Sequence, residues 1–296
     1  MSGKLKEVRE RIKSVNSTQQ ITKAMKMVSA AKLRKAQQAI QQMRPYANRL
    51  DMILKNILSS LQGDYETSFG LEREAVNVLL VVITSNRGLC GAFNSNLSKL
   101  AIQTIEEKYS SQLASGNLKI LCIGKRGNEL MKKRYGVNLV ISDYVDLFSD
   151  LSFDNVSKVS QFLMDAFSTA QYDRIEVCYS RFRNAAVQFP EMTQYLPVQK
   201  MKADTDFRTN ADYIFEPNTA ELLDELIPSI LHTTFLKFIL DTHASEHGAR
   251  MTAMDNATSN AEELMKELKI SYNKARQEAI TKELAEIVGG AAALAG

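Results

Sequence analysis

The sequence predicts an α/β fold with helical extremities: a long antiparallel two-helix coiled coil from the N- and C-terminal segments, plus a central Rossmann-like α/β domain with a mostly parallel sheet. Three observations carry this. Residues 1–62 hold 13 Lys or Arg against 3 acids, have no Gly between Gly3 and Gly63, and are filled with helix formers. Residues 218–296 are also helix-patterned but acidic, with 7 basic residues against 12 acids. Between them, short β-branched runs alternate with helical patterns, as in a parallel sheet covered by helices. The segments are therefore 1–62 for the first long helix of the coiled coil, 70–205 for the α/β domain and 210–296 for the second.

In the first helix, Leu5, Val8, Ile12 and Val15 step by three and four, shift phase around Gln19 and Gln20, and resume at Ile21, Met25 and Val28. Pro45 is expected to kink it. Strands are expected at 75–84, 118–123, 137–141 and 174–179, with helices near 93–109, 126–135 and 155–170. The last helix carries one stripe from Leu222 to Ile239 and another from Leu264 to Ile287, with Pro228 as a break or restart and Gly289-Gly290 as its end. Between the stripes, residues 242–261 are mostly Ala, Ser, Thr, Gly and Asn, which permit close approach but bury little apolar area.

At about 1.5 Å per residue, helices over 5–58 and 229–288 would span roughly 80 and 90 Å. A compact chain of this length has a diameter of only about 50 Å. Both helices must protrude, and each apolar stripe needs a partner along its length. The opposite charges of the two segments favour pairing them, antiparallel because the α/β segment joins the end of one to the start of the other. With so little apolar area in its middle, such a pair calls for a surrounding partner or a hollow that sheathes it.

Composition excludes several classes. The net charge of +3 over 296 residues is too balanced to argue for nucleic acid, and three distant cysteines rule out a disulfide framework. No stretch is long and apolar enough to span a membrane, and the N-terminal region lacks a signal core. The run His243-Ala-Ser-Glu246-His247 matches H-x-x-E-H of zinc peptidases, but only the rest of one rod follows it and no third ligand can fold back, so it reads as a solvated polar face. The turn Asn86-Arg-Gly-Leu-Cys90-Gly-Ala-Phe-Asn94 follows a strand and precedes a helix, where nucleophile elbows and phosphate cradles sit. It lacks G-x-G-x-x-G and Gly-Lys-Ser/Thr, and no His lies in the α/β segment to activate Cys90, so it reads as a tight turn that needs Gly for its backbone. The basic residues of the first helix read as a solvated or protein-facing strip suited to an acidic surface around the rod. No cofactor and no metal is expected. The alternative from another class is a small α/β enzyme with helical oligomerisation arms.

Longer strings sharpen the choice. Thr18-Gln-Gln-Ile-Thr-Lys-Ala-Met25-Lys-Met-Val28, Thr84-Ser-Asn-Arg87-Gly-Leu-Cys-Gly91, Ala244-Ser-Glu246 to Arg250-Met, Asn256-Ala-Thr258, and Tyr272-Asn-Lys-Ala-Arg276-Gln-Glu-Ala-Ile-Thr281 to Ala291 occur in order along the chain. Together they resemble the gamma subunit of F-type ATP synthases from end to end. The resemblance implies a central rotor shaft, with no catalytic site of its own, whose paired helices pass through a ring of alternating alpha and beta subunits. It implies an α/β domain near the epsilon subunit and the membrane ring of c subunits, and rotation, driven by proton or sodium flow, coupled to ATP synthesis or hydrolysis. It assigns Met25, Lys26, Arg250, Arg276, Gln277, Thr281 and Glu283 to the alpha/beta ring contact, and Tyr213 and Glu216 to the c-ring contact. Lys26 stands where many members have Glu, Asn86 where many have Asp and Ala92 where many have Gly. Thiol regulation is not expected, since no closely spaced Cys pair occurs. Beginning at Met1 without a transit peptide, the sequence reads as bacterial, which with the resemblance implies the cytoplasmic face of the plasma membrane.

Overall fold

The computed structural model describes residues 3–60, 69–198 and 219–295. In chain order the elements are α1 (Gly3–Ser60), β1 (Val78–Ile83), α2 (Phe93–Lys108), α3 (Ser110–Ser115), β2 (Leu118–Ile123), α4 (Lys125–Tyr135), β3 (Val140–Ile141), α5 (Phe153–Ser168), β4 (Arg174–Phe182), β5 (Gln188–Leu196) and α6 (Thr219–Ala295). The chain divides into two compact units, Met1–Ala30 with Arg250–Gly296, and Ala31–Ala249. The expected α/β class with long terminal helices is what the structure shows.

The ends are single helices of 58 and 77 residues, with Pro45 and Pro228 inside them. Two expectations at the last helix need correction. Pro228 neither breaks nor restarts it, since α6 already begins at Thr219, and Gly289-Gly290 does not end it. Each Gly costs about 1 kcal/mol relative to Ala in a helix interior, and the alanines after it offset this with the strongest helix propensity.

In the Ala31–Ala249 unit the sheet runs β3-β2-β1-β4-β5. β1 pairs in parallel with both β2 and β4, through Val78↔Leu118 and Val78↔Arg174. β3 continues the parallel set and β5 closes the far edge antiparallel to β4. Every residue of β1 is buried, which is why Val78-Leu-Leu-Val-Val-Ile83 reads as an unbroken apolar run. Of the segment expected as a strand at 137–141, only Val140–Ile141 pairs, behind a 3-10 turn at Val137–Leu139.

Two apolar layers hold the sheet. Leu79, Val81 and Ile83 face α5 and α6, meeting Val159, Leu163, Phe235 and Phe238. Leu80 and Val82 face α2 and α4, meeting Leu97, Ile105 and Met131. A long terminal helix thus serves over part of its length as one of the helices that cover the sheet. Each large apolar side chain withdrawn from water there contributes about 2–3 kcal/mol.

Candidate functional site

Within the Met1–Ala30/Arg250–Gly296 unit, α1 and α6 pair along a polar ladder. Lys4 Nζ meets Glu278 Oε2 at 3.1 Å, Arg9 donates to the Tyr272 hydroxyl at 3.1 Å, Gln19 donates to Glu262 at 3.0 Å, and Lys26 Nζ meets Asp255 Oδ1 at 2.5 Å. Partner numbers fall on one helix as they rise on the other, so the pair is antiparallel in one continuous register. Between the last two rungs, the Thr22 and Thr258 hydroxyls lie 2.8 Å apart and buried, and Thr258 also donates to the Met254 carbonyl. The remaining buried seam is small or sparse: Leu5, Ser29, Met254, Ala261, Leu268 and Ala275. Large apolar residues point outward instead, with Ile21, Met27 and Val28 on α1 and Ile270, Ile280, Leu284, Ile287 and Val288 on α6 all exposed.

The residues assigned by resemblance fall in different settings. Met25 and Lys26 are half-buried, and Lys26 spends its charge on Asp255. Arg250 is buried at 7 % exposure. Arg276, Gln277, Thr281 and Glu283 are exposed, and Thr281 and Glu283 lie past Glu278, the partner of Lys4 close to the start of α1. Tyr213 and Glu216 lie outside the described residues.

At the carboxyl ends of β1 and β2, the N-terminus of α4 is occupied by the chain itself. The first amides of α4 all donate to the β1–α2 turn: Lys125 N–H to Asn86 Oδ1 (3.2 Å), Arg126 N–H to Ser85 O (3.1 Å) and Gly127 N–H to Thr84 Oγ1 (2.9 Å). Gly124 makes this approach possible. Its φ is +99°, and a Cβ there would sit 2.1 Å from the Thr84 carbonyl oxygen. A phosphate at this helix N-terminus would have to displace three satisfied bonds, which weighs against a nucleotide enzyme at this place.

The turn itself is held by Asn94, whose Oδ1 accepts the Ser85 amide at 3.0 Å while its Nδ2 donates to Cys90 Sγ at 3.2 Å. Gly91 takes a left-handed φ of +60°, but so does Leu89 at +63°, and Gly88 does not. The glycine requirement read from sequence therefore holds at Gly91 and not at Gly88. Ala92 has φ −83° and needs no glycine. Cys122 and Cys178 are buried and desolvation pushes both thiols up to about 12, so neither is poised as a nucleophile.

The H-x-x-E-H run is not a solvated face, which corrects that expectation. Glu246 and His247 are buried, His243 stacks on Phe148 with ring centroids 5.8 Å apart, and its Nε2 lies 3.1 Å from that of His247. The reason is that this stretch of α6 passes over the end of β4 rather than into water. No cluster of three metal-ligating side chains exists among the described residues. A shallow cavity of about 400 Å³ between α2 and β5 has the buried Glu176 carboxylate in its wall, with Lys108 as its ion partner.

Missed in the sequence were Asp241 and the hydroxyls of Thr242 and Ser245, buried on α6. Burial raises the Asp241 carboxyl to about 6, against the opposing pull of Lys237, Arg44 and Arg181. The available signal is a run of small polar residues, which by composition alone reads only as a lack of apolar area.

A doubly wound sheet whose α4 N-terminus is occupied by the chain itself, in one unit, and two long paired helices with outward apolar residues, in the other, define a class of protein built to engage a larger assembly. Residues 4–294 match the family described as ATP synthase. The chain is 53% identical over 293 residues to the ATP synthase gamma chain of Cytophaga hutchinsonii, covering 98% of each, and 52% identical to that of Flavobacterium psychrophilum, covering 99% of each. The chain belongs to the ATP synthase gamma chain family. Its fold is also that of a chain in the Euglena gracilis mitochondrial ATP synthase, at TM-score 0.69 and 24% identity, covering 99% of this chain and 95% of that one.

Proposed function

We propose that this chain is the central rotor shaft of an F-type ATP synthase. Its paired helices turn inside a ring of alpha and beta subunits, and its α/β domain engages the epsilon subunit and the membrane c ring. It performs no bond chemistry itself. It acts by presenting different faces to each beta subunit, favouring a different conformation at each catalytic site. Arg276, Gln277, Thr281 and Glu283, with Met25, Lys26 and Arg250, make the ring contact, and Tyr213 and Glu216 the c-ring contact. In a bacterial cell it works at the cytoplasmic face of the plasma membrane.

The observation that carries this reading is the inverted polarity of the paired helices. Small and hydroxyl residues make up most of the seam, with Leu5, Met254 and Leu268 its large apolar members, while Ile21, Met27, Val28, Ile270, Ile280, Leu284, Ile287 and Val288 face outward. A helical pair of that kind is marginal alone and gains when a surface closes over it. No helix among the described residues is long and apolar enough to cross a membrane, so that surface is better supplied by protein.

The test is reconstitution. Purified with alpha and beta subunits, the chain should confer ATP hydrolysis in which a bead fixed to the α/β domain rotates in one direction. Stable assembly with hydrolysis but no rotation overturns the rotor reading. Arg276→Ala with Gln277→Ala should lower coupled ATP synthesis in vesicles by about tenfold while the α/β domain stays folded by circular dichroism. Unchanged synthesis removes those two residues from the contact.

A further inference from the structure

Where β4 outruns its neighbours, α6 takes the place of a strand. Pairing with β1 stops at Val82↔Cys178, so Ser180, two residues further on, has no strand on its β1 side. The buried Ser180 backbone is satisfied from α6 instead: its N–H donates to Thr242 Oγ1 at 3.2 Å, and its carbonyl accepts from Ser245 Oγ at 3.1 Å. Thr242 passes its own proton to the Phe238 carbonyl at 2.8 Å. One turn on, a Cβ at Gly248 would lie 3.2 Å from both the Cα and the carbonyl oxygen of Ala185, so helix backbone and hairpin backbone are in direct contact. On the other side of the aromatic layer, the Tyr195 hydroxyl of β5 donates to the Leu231 carbonyl at 3.1 Å.

Phe235 and Phe238 also pack on this hairpin, against Tyr195 and Tyr179. Apolar contacts are non-directional and resist rolling of a helix about its axis only weakly. Two hydroxyls three residues apart, gripping the N–H and C=O of one strand residue, are directional and fix both axial position and rotation. A mid-helix Gly and two helix-neutral hydroxyl residues cost helix stability, and each is accounted for by this contact.

We propose that Thr242, Ser245 and Gly248 are positioning residues that clamp α6 to the β4–β5 hairpin as one body, so that turning the α/β domain turns the helix that runs on into the polar seam. The mechanical meaning rests on the rotor reading above.

The experiment uses the chain assembled with its alpha, beta and membrane subunits. In Thr242→Val with Ser245→Ala, which removes both hydroxyls at nearly constant volume, ATP synthesis should fall about tenfold while ATP hydrolysis changes less than about twofold. Ser245→Thr, which keeps a hydroxyl, should restore the ratio. A purely stabilising role would lower the melting temperature and leave the synthesis-to-hydrolysis ratio alone, and that result overturns the proposal. Amide exchange at Ser180 in the unaltered chain decides the geometry even if the double variant fails to assemble: protection like that of β1 supports the clamp, and rapid exchange overturns it. An unaltered complex that does not rotate defeats the rotor reading, whereas the Ser180 amide tests the clamp on its own.

Discussion

The two compact units solve opposite problems with the same residue alphabet. In the Ala31–Ala249 unit, large residues point inward: all of β1, most of β2, and Phe167 and Phe235 are fully buried. In the Met1–Ala30/Arg250–Gly296 unit, the seam holds a Thr–Thr pair, two alanines and only Leu5, Met254 and Leu268 as large apolar residues, while more isoleucines and valines face out. The first arrangement is self-sufficient, because apolar area leaves water as the chain folds. The second leaves much of its apolar area to be covered by something else. An element that must be gripped from outside keeps its adhesive residues outside, and holds itself together with register-setting polar contacts that cost little to form or break.

The largest effect should come from breaking the inward-facing unit. Phe235 is 0 % exposed and packs against Tyr195 with ring centroids 5.8 Å apart. Phe235→Ala should cost about 3–5 kcal/mol through lost transfer energy and a cavity that the sheet cannot fill by collapse. Urea unfolding followed by far-ultraviolet circular dichroism measures it, and a cost below about 1 kcal/mol would show that α6 is not part of the sheet's core.

A smaller effect of opposite sign is expected at Asp241, 7 % exposed, whose carboxyl is raised to about 6 from 3.8 by desolvation. A group bound more tightly by protons in the folded state stabilises that state at low pH. The advantage is lost as pH rises from about 4 through 6, so the ionised carboxylate is a standing cost at neutral pH. Asp241→Asn should therefore raise stability by up to about 3 kcal/mol above pH 7 and flatten the dependence between pH 4 and 6. Chemical unfolding at pH 4.5 and 7.5 provides the comparison, and equal effects at the two values would contradict the assignment.

How much of this was legible in the sequence follows burial. β2 was readable to the residue, because a strand covered on both faces is a continuous apolar run. β5 was invisible: Gln188-Phe-Pro-Glu-Met-Thr-Gln-Tyr-Leu196 is a half-buried edge strand with a proline in it, and neither alternation nor propensity marks it. The end of β4, which runs past the segment 174–179 expected as a strand, explains why His243 to His247 is not solvated, since a polar run on a helix looks solvated until something is seen to lie beneath it. By composition, 242–261 reads as one weak stretch of seam. The structure instead beds its first part, Thr242 to Gly248, on the β4–β5 hairpin. Hydroxyls that replace a strand partner carry no periodic signature, so Thr242 and Ser245 looked like missing apolar area.

The smallest expected effect tests the other side of the comparison. Thr22 and Thr258 share a buried hydrogen bond across the seam; with Thr258 donating to the Met254 carbonyl, Thr22 is its donor, and without that bond Thr22 can turn its proton to the Gln19 carbonyl 3.0 Å away. Converting both to Val removes donor and acceptor together and leaves no orphaned proton. The lost interhelix bond, about 1 kcal/mol, is then offset by the burial of two methyl groups. Thr22→Val with Thr258→Val should accordingly change stability by less than about 1 kcal/mol. Either single variant should be somewhat worse than the pair, because one hydroxyl then faces a methyl group. Amide exchange of the residues flanking positions 22 and 258 reads this locally. A loss above about 2 kcal/mol in the double variant would mean that the seam is held from within after all, and the outward isoleucines and valines would then need another explanation.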